Sequence, residues 1–175
     1  MTKTEKFIND FNFDSNIILL WDPWVWKTHI MKWLFARLPD NESSLEKYWL
    51  DDWKFRENIT SWNMTLRDNY DYSCSVLNYP LEMCIRVKVL FFDDIWSSEN
   101  VSDSQRTKLK FILDEREKKW LVTLYSTNLN PKELSDLYGE RIKSRIFNGK
   151  HSKWLKMITI EWKDRRKENI QQITL

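Results

Sequence analysis

Two glycines in 175 residues constrain this chain more than any other feature. Tight turns and helix ends need positive φ, which glycine adopts freely and other residues resist. At an average usage of about 7%, a chain of this length carries roughly 12 glycines. Tryptophan departs the other way, with eleven copies. The two counts together come close to the expected number of glycines. Either the chain turns without glycine, or tryptophans stand where glycines would do that work.

The hydrophobic pattern still reads as alternating strands and helices. Asn16–Trp21 is a short buried strand, and Thr28–Leu38 has apolar residues at helical spacing until Pro39-Asp40 stops it. Ile85–Asp94 reads as a second strand ending in two carboxylates. Ser102–Lys119 is an amphipathic helix and Leu121–Ser126 a third strand. Asn130-Pro131 starts a helix to Tyr138, where Gly139 is expected to cap it. Glu140–Phe147 is a short helix and Met157–Glu161 a last strand. Residues 41–80 hold one strand plus connections. This alternation implies a parallel sheet covered on both faces, in one α/β domain over 1–175. Residues 1–15 form a short extension, 167–175 a tail, and no separate lid domain is expected.

Composition excludes several classes. The longest apolar runs, Ile17–Trp21 and Val89–Phe92, are far too short to span a bilayer. No signal-peptide core precedes residue 15, so a soluble cytoplasmic chain is expected. The net charge of +2 carries no bulk signal for nucleic acid. The basic clusters Arg141–Arg145 and Lys163–Lys167 are read as solvated faces unless a motif claims them. Cys74 and Cys84 lack metal-ligand spacing and are read as reduced thiols.

Two polar signals end two strands: Lys27-Thr28 follows the first and Asp93-Asp94 ends the second. In an α/β nucleotide site, main-chain N–H groups after the first strand wrap phosphate. A lysine there meets the β/γ-phosphates, and a hydroxyl meets Mg²⁺. A strand-ending Asp holds the metal, and a neighbouring acid orients water. Either pair alone is common. Their order and separation favour nucleotide.

With Trp read as Gly, residues 21–28 become G-D-P-G-V-G-K-T, a full phosphate-loop pattern. "VLFFDDIW", "LYSTN", "YGERIKSRIF" and "EWKDRR" then complete a set. In this form the chain resembles the DnaC/IstB-type AAA+ ATPase family of helicase loaders and transposition helpers, from about Asn16 to Arg166. UGA is read as Trp in some genetic codes and as Gly in others. A gene that uses UGA for Gly, translated with a Trp table, would produce this chain. Trp21, Trp24, Trp26, Trp96, Trp120 and Trp162 are the positions most expected to be Gly. Trp33 and Trp154 could be genuine.

The resemblance implies a three-layer P-loop fold, with ATP and Mg²⁺ as ligands. It implies nucleotide contacts from Trp21, Asp22, Pro23, Trp24, Val25, Trp26, Lys27 and Thr28. Thr28 and Asp93 would serve the metal, and Asp94 and Asn128 the attacking water. Arg145 would reach the γ-phosphate of a neighbouring copy, with Arg141 supporting it and Arg166 in a less defined role. A homo-oligomer acting on DNA, or on a DNA-bound helicase or transposase, follows. If the tryptophans are genuine, three indoles block backbone approach to phosphate, leaving a scaffold of the same fold that binds no nucleotide. A third reading, an unrelated Trp-rich module that stacks single-stranded bases, fits less well. These tryptophans fall at turns rather than along one sheet face.

Overall fold

The computed structural model describes residues 6, 9–20, 25–39, 45–56, 79–94, 101–148 and 156–159. Five strands, β1 (Ile17–Leu20), β2 (Lys47–Asp51), β3 (Val89–Asp93), β4 (Val122–Thr127) and β5 (Lys156–Thr159), form one sheet. The order is β2-β3-β4-β1-β5, and every pairing is parallel. The helical elements are α1 (Val25–Ala36), the single turn α2 (Asp52–Lys54), α3 (Tyr79–Arg86), α4 (Asp103–Lys118), α5 (Pro131–Tyr138) and α6 (Glu140–Asn148).

Strand side chains alternate between two faces, and both faces are apolar. Ile17, Leu19, Val89, Phe91 and Leu124 pack with Phe11 and with Ile30, Met31 and Leu34 of α1. Ile18, Leu50, Leu90, Phe92 and Tyr125 face the opposite way. They meet Leu81 and Cys84 of α3, Leu109, Ile112 and Leu113 of α4, Leu134 of α5 and Ile142 and Ile146 of α6. Full burial of one such side chain stabilises by about 1.5–3 kcal/mol. The result is helix, sheet, helix. Trp49 belongs to the α1 face, stacked on Phe91 with ring centroids 5.9 Å apart. No described helix is long and apolar enough to cross a membrane.

Local signals fix most helix ends. Ser102 caps α4 in a reciprocal capping box with Gln105, and Asn130 does the same for α5 with Glu133. Gly139 closes α5 at φ 89°, ψ 154°, a region essentially reserved for glycine. The end of α4 is different. The Trp120 N–H donates to the Glu117 carbonyl and the Leu121 N–H to the Arg116 carbonyl. Together these bonds make a Schellman motif with Trp120 at its left-handed position, φ 57°. The indole there is 64% exposed.

One boundary corrects the sequence expectation. Ile85 and Arg86 do not begin the second strand; they finish α3, and β3 starts at Val89. The buried Arg116 guanidinium explains the break. It donates to the carbonyls of Cys84 (2.7 Å) and Val87 (3.0 Å) and to Thr123 Oγ1 (2.8 Å), pinning the helix end against the sheet. The strand expected in 41–80 is β2, and α1 starts earlier than expected, at Val25.

Candidate functional site

Parallel pairing puts the carboxyl ends of β3, β4 and β1 side by side, the usual ligand-binding edge of an open α/β sheet. The residues after β1 enter α1, whose first turn carries Lys27 and Thr28. Asp93 ends β3 and Asp94 follows it. Ser126 and Thr127 end β4, and Asn128 follows.

These groups form a chain of hydrogen bonds that the covalent Lys27-Thr28 link closes into a ring. The Lys27 ammonium is buried and donates to the Thr127 carbonyl (2.9 Å) and to Asn128 Oδ1. Asn128 Nδ2 donates to Asp94 Oδ1 (3.3 Å). The Asp94 N–H donates to Ser126 Oγ (2.7 Å), and that hydroxyl donates to Asp93 Oδ1 (2.7 Å). Thr28 Oγ1 donates to Asp93 Oδ2 (3.1 Å), and the chain closes on Lys27. Seven residues at three strand ends therefore share one network.

Burial pushes the Asp93 carboxyl above its ordinary value. Hydrogen bonds from Ser126 and Thr28 draw it back, while the Asp94 and Asp51 carboxylates add to the rise. Among the described residues, no cluster of three or more His, Cys, Asp or Glu could hold a metal with protein ligands alone. Thr28 and Asp93 nevertheless offer a hydroxyl and a carboxylate side by side. That hard-oxygen pair fits Mg²⁺, which takes few protein ligands and fills its shell with water and phosphate oxygens.

No protein-family model matches the chain, and no curated protein matches it. Solved structures do. The DnaC helicase loader aligns with a TM-score of 0.61 at 20% identity, covering 90% of this chain and 86% of that one. AMPPCP-bound DnaA from Aquifex aeolicus gives 0.64 at 13%, covering 95% and 47%. The fold is similar to that of the DnaC helicase loader. A replication initiator DnaA bound to AMPPCP and single-stranded DNA also matches, at 0.60 and 13%, covering 91% and 44%. The chain thus spans most of the DnaC structure but under half of the length of these DnaA structures.

On this fold, five residues singled out by sequence come together: Lys27, Thr28, Asp93, Asp94 and Asn128. Val25 and Trp26 open α1 beside them. Trp21, Asp22, Pro23 and Trp24 lie outside the described residues, as do Trp96, Trp154, Trp162 and Arg166. Arg141 and Arg145 do not join the ring. Both sit on α6 against α4: Arg145 Nε lies 3.0 Å from Asp114 Oδ1 and its guanidinium also pairs with Glu117, while Arg141 stands 3.9 Å from Asp114. Ser126 is the ring member to which the sequence assigned no role, although it stands inside the quoted LYSTN stretch. Its one sequence signal is a hydroxyl two residues before Asn128 at the end of an apolar strand, a position the core would otherwise fill with a hydrocarbon.

Proposed function

We propose that this chain binds ATP with Mg²⁺ at the carboxyl ends of β1, β3 and β4, hydrolyses it, and uses the ATP-bound form to assemble. It acts as an ATP-switched loader in DNA replication or transposition, on DNA or on a DNA-bound helicase or transposase. The observation that carries this reading is the ring linking Lys27, Thr28, Asp93, Asp94 and Asn128 at one sheet edge. The nucleotide and single-stranded DNA held by the DnaA neighbours add support.

Lys27 leaves its carbonyl and amide acceptors to meet the β/γ-phosphates. Thr28 and Asp93 would hold Mg²⁺, which would supply positive charge beside the phosphates. Asp94 and Asn128 orient the attacking water. Arg145 of a neighbouring copy neutralises charge in the transition state, as a bidentate guanidinium is suited to do. It exchanges its Asp114 and Glu117 pairing for phosphate on assembly.

The proposal includes glycine at 21, 24, 26, 96, 120 and 162 in the native protein. Trp120 supports it, because an exposed indole occupies a left-handed helix-end position that favours glycine. The second reading, a scaffold of the same fold that binds no nucleotide, is favoured by the literal indoles at 21, 24 and 26. Mass spectrometry of the native protein separates the two. Tryptic peptides lighter by the Trp-to-Gly difference are expected, and peptides carrying Trp at these positions would leave the scaffold.

With the native chain, Lys27→Ala should abolish ATP binding. Arg145→Ala should spare binding while cutting turnover and assembly. Undiminished binding by Lys27→Ala would remove the nucleotide reading.

A further inference from the structure

We propose that Ser126 is a positioning residue for hydrolysis, one hydroxyl that sets both acids at the end of β3. This rests on the ATPase reading above.

The geometry leaves the hydroxyl no slack. A serine Oγ has one proton to give and lone pairs to accept with. Ser126 gives its proton to Asp93 Oδ1 at 2.7 Å and accepts the Asp94 N–H at 2.7 Å. The residue is fully buried, so bulk water cannot take over either bond. A single atom on β4 thus grips two consecutive residues, Asp93 at the end of β3 and Asp94 just after it.

That grip decides where the second acid points. In a regular strand, successive side chains leave on opposite faces. A continued β3 would send Asp94 away from whatever Asp93 meets. Instead Asp94 turns into the left-handed region at φ 47°, tolerable for Asp and costly for most residues. Its carboxylate reaches Asn128, at the end of the same strand that holds Ser126. The bond from the Asp94 N–H to Ser126 Oγ spans this turn and secures it. Without it, the chain at 94 is free to relax, and the carboxylate leaves Asn128 and the water they jointly orient. The Ser126 hydroxyl spends both of its bonds on the two acids rather than on the phosphate-binding lysine, so its larger effect is expected on turnover and the smaller on nucleotide affinity.

The test uses the full chain with Ser126→Ala, Ser126→Cys and Ser126→Thr. Three readouts are taken: affinity for a fluorescent ATP analogue, ATP turnover, and hydrogen exchange of the Asp94 amide without nucleotide. Ser126→Ala should leave affinity within about threefold, lower kcat at least tenfold, and speed Asp94 exchange at least tenfold. Ser126→Thr keeps the hydroxyl and should restore both. If the alanine variant does not fold, Ser126→Cys, similar in volume but a weak hydrogen-bonding group, carries the same expectations. Unchanged Asp94 exchange overturns the proposal, as does a loss of affinity equal to the loss of turnover. A wild-type chain that binds or turns over no ATP overturns the parent reading instead. The amide exchange still decides whether Ser126 holds Asp94.

Discussion

Trp120 allows a test in which two positions should rank the same pair of substitutions in opposite order. Alanine and glycine both delete the indole, so lost contacts cancel when the two variants are compared. What remains is backbone. At φ 57° a side chain of any kind is strained by about 1–2 kcal/mol, which glycine escapes. Glycine gives back about 0.4–1 kcal/mol through the greater freedom of its unfolded chain. Trp120→Gly should therefore exceed Trp120→Ala in stability by roughly 0.5–1 kcal/mol. Trp33 supplies the reverse case, since it is similarly exposed, at 53%, but lies inside α1. There alanine should exceed glycine by about 1 kcal/mol. Urea unfolding of the four variants reads both differences from the midpoints at constant slope. If alanine wins at both positions, residue 120 is not a built glycine site. The structural support for glycine there then disappears.

Gly139→Ala should cost about 1–3 kcal/mol in the same assay. An added Cβ would meet nothing within 4 Å, so the whole cost is conformational. Arg116→Met should cost about 1–3 kcal/mol in urea for each buried carbonyl left without its donor, Cys84 and Val87 first, at the α3–β3 corner; a loss under about 1 kcal/mol would remove Arg116 as the pin. The Glu140 carboxyl is held below its ordinary 4.5 by hydrogen bonds from Ser135 and Lys143. Its small contribution is present above that value and lost as pH falls through the lowered one, so Glu140→Gln should destabilise slightly at pH 7 and progressively less as the pH is taken down through the acid range. Asp114→Asn combined with Glu117→Gln frees Arg145 from α4. ATP-dependent assembly, followed by sedimentation, should then need less protein; an unchanged threshold would mean that the pairing does not compete with assembly.

The local signals were legible where one residue suffices. Asn130, Pro131 and Gly139 each dictate a cap through their own chemistry, and the structure builds each as expected. The apolar runs at 17–20 and 89–92 became strands buried on both faces, and so did the mixed stretch 122–127, whose Thr123, Ser126 and Thr127 are buried polar residues. The boundary at 85–88 was not legible, because the same apolar residues suit a helix end or a strand. Arg116, some thirty residues later, made the choice. Ser126 was equally hidden, since nothing local separates a structural serine from one that grips two acids.

By itself, the sequence determined the kinds of elements, their order, and which polar residues end which strands. It also fixed the shortage of glycine, a property of single residues and their allowed φ. Only the tertiary structure decided that β4 lies between β1 and β3. That placement brings Asn128 and Ser126 to Lys27 and the two acids, and leaves Arg141 and Arg145 against α4. Strand order depends on how distant apolar faces pack together. Hydrophobic burial has no direction of its own, so that order is settled by the whole sheet and its covering helices at once.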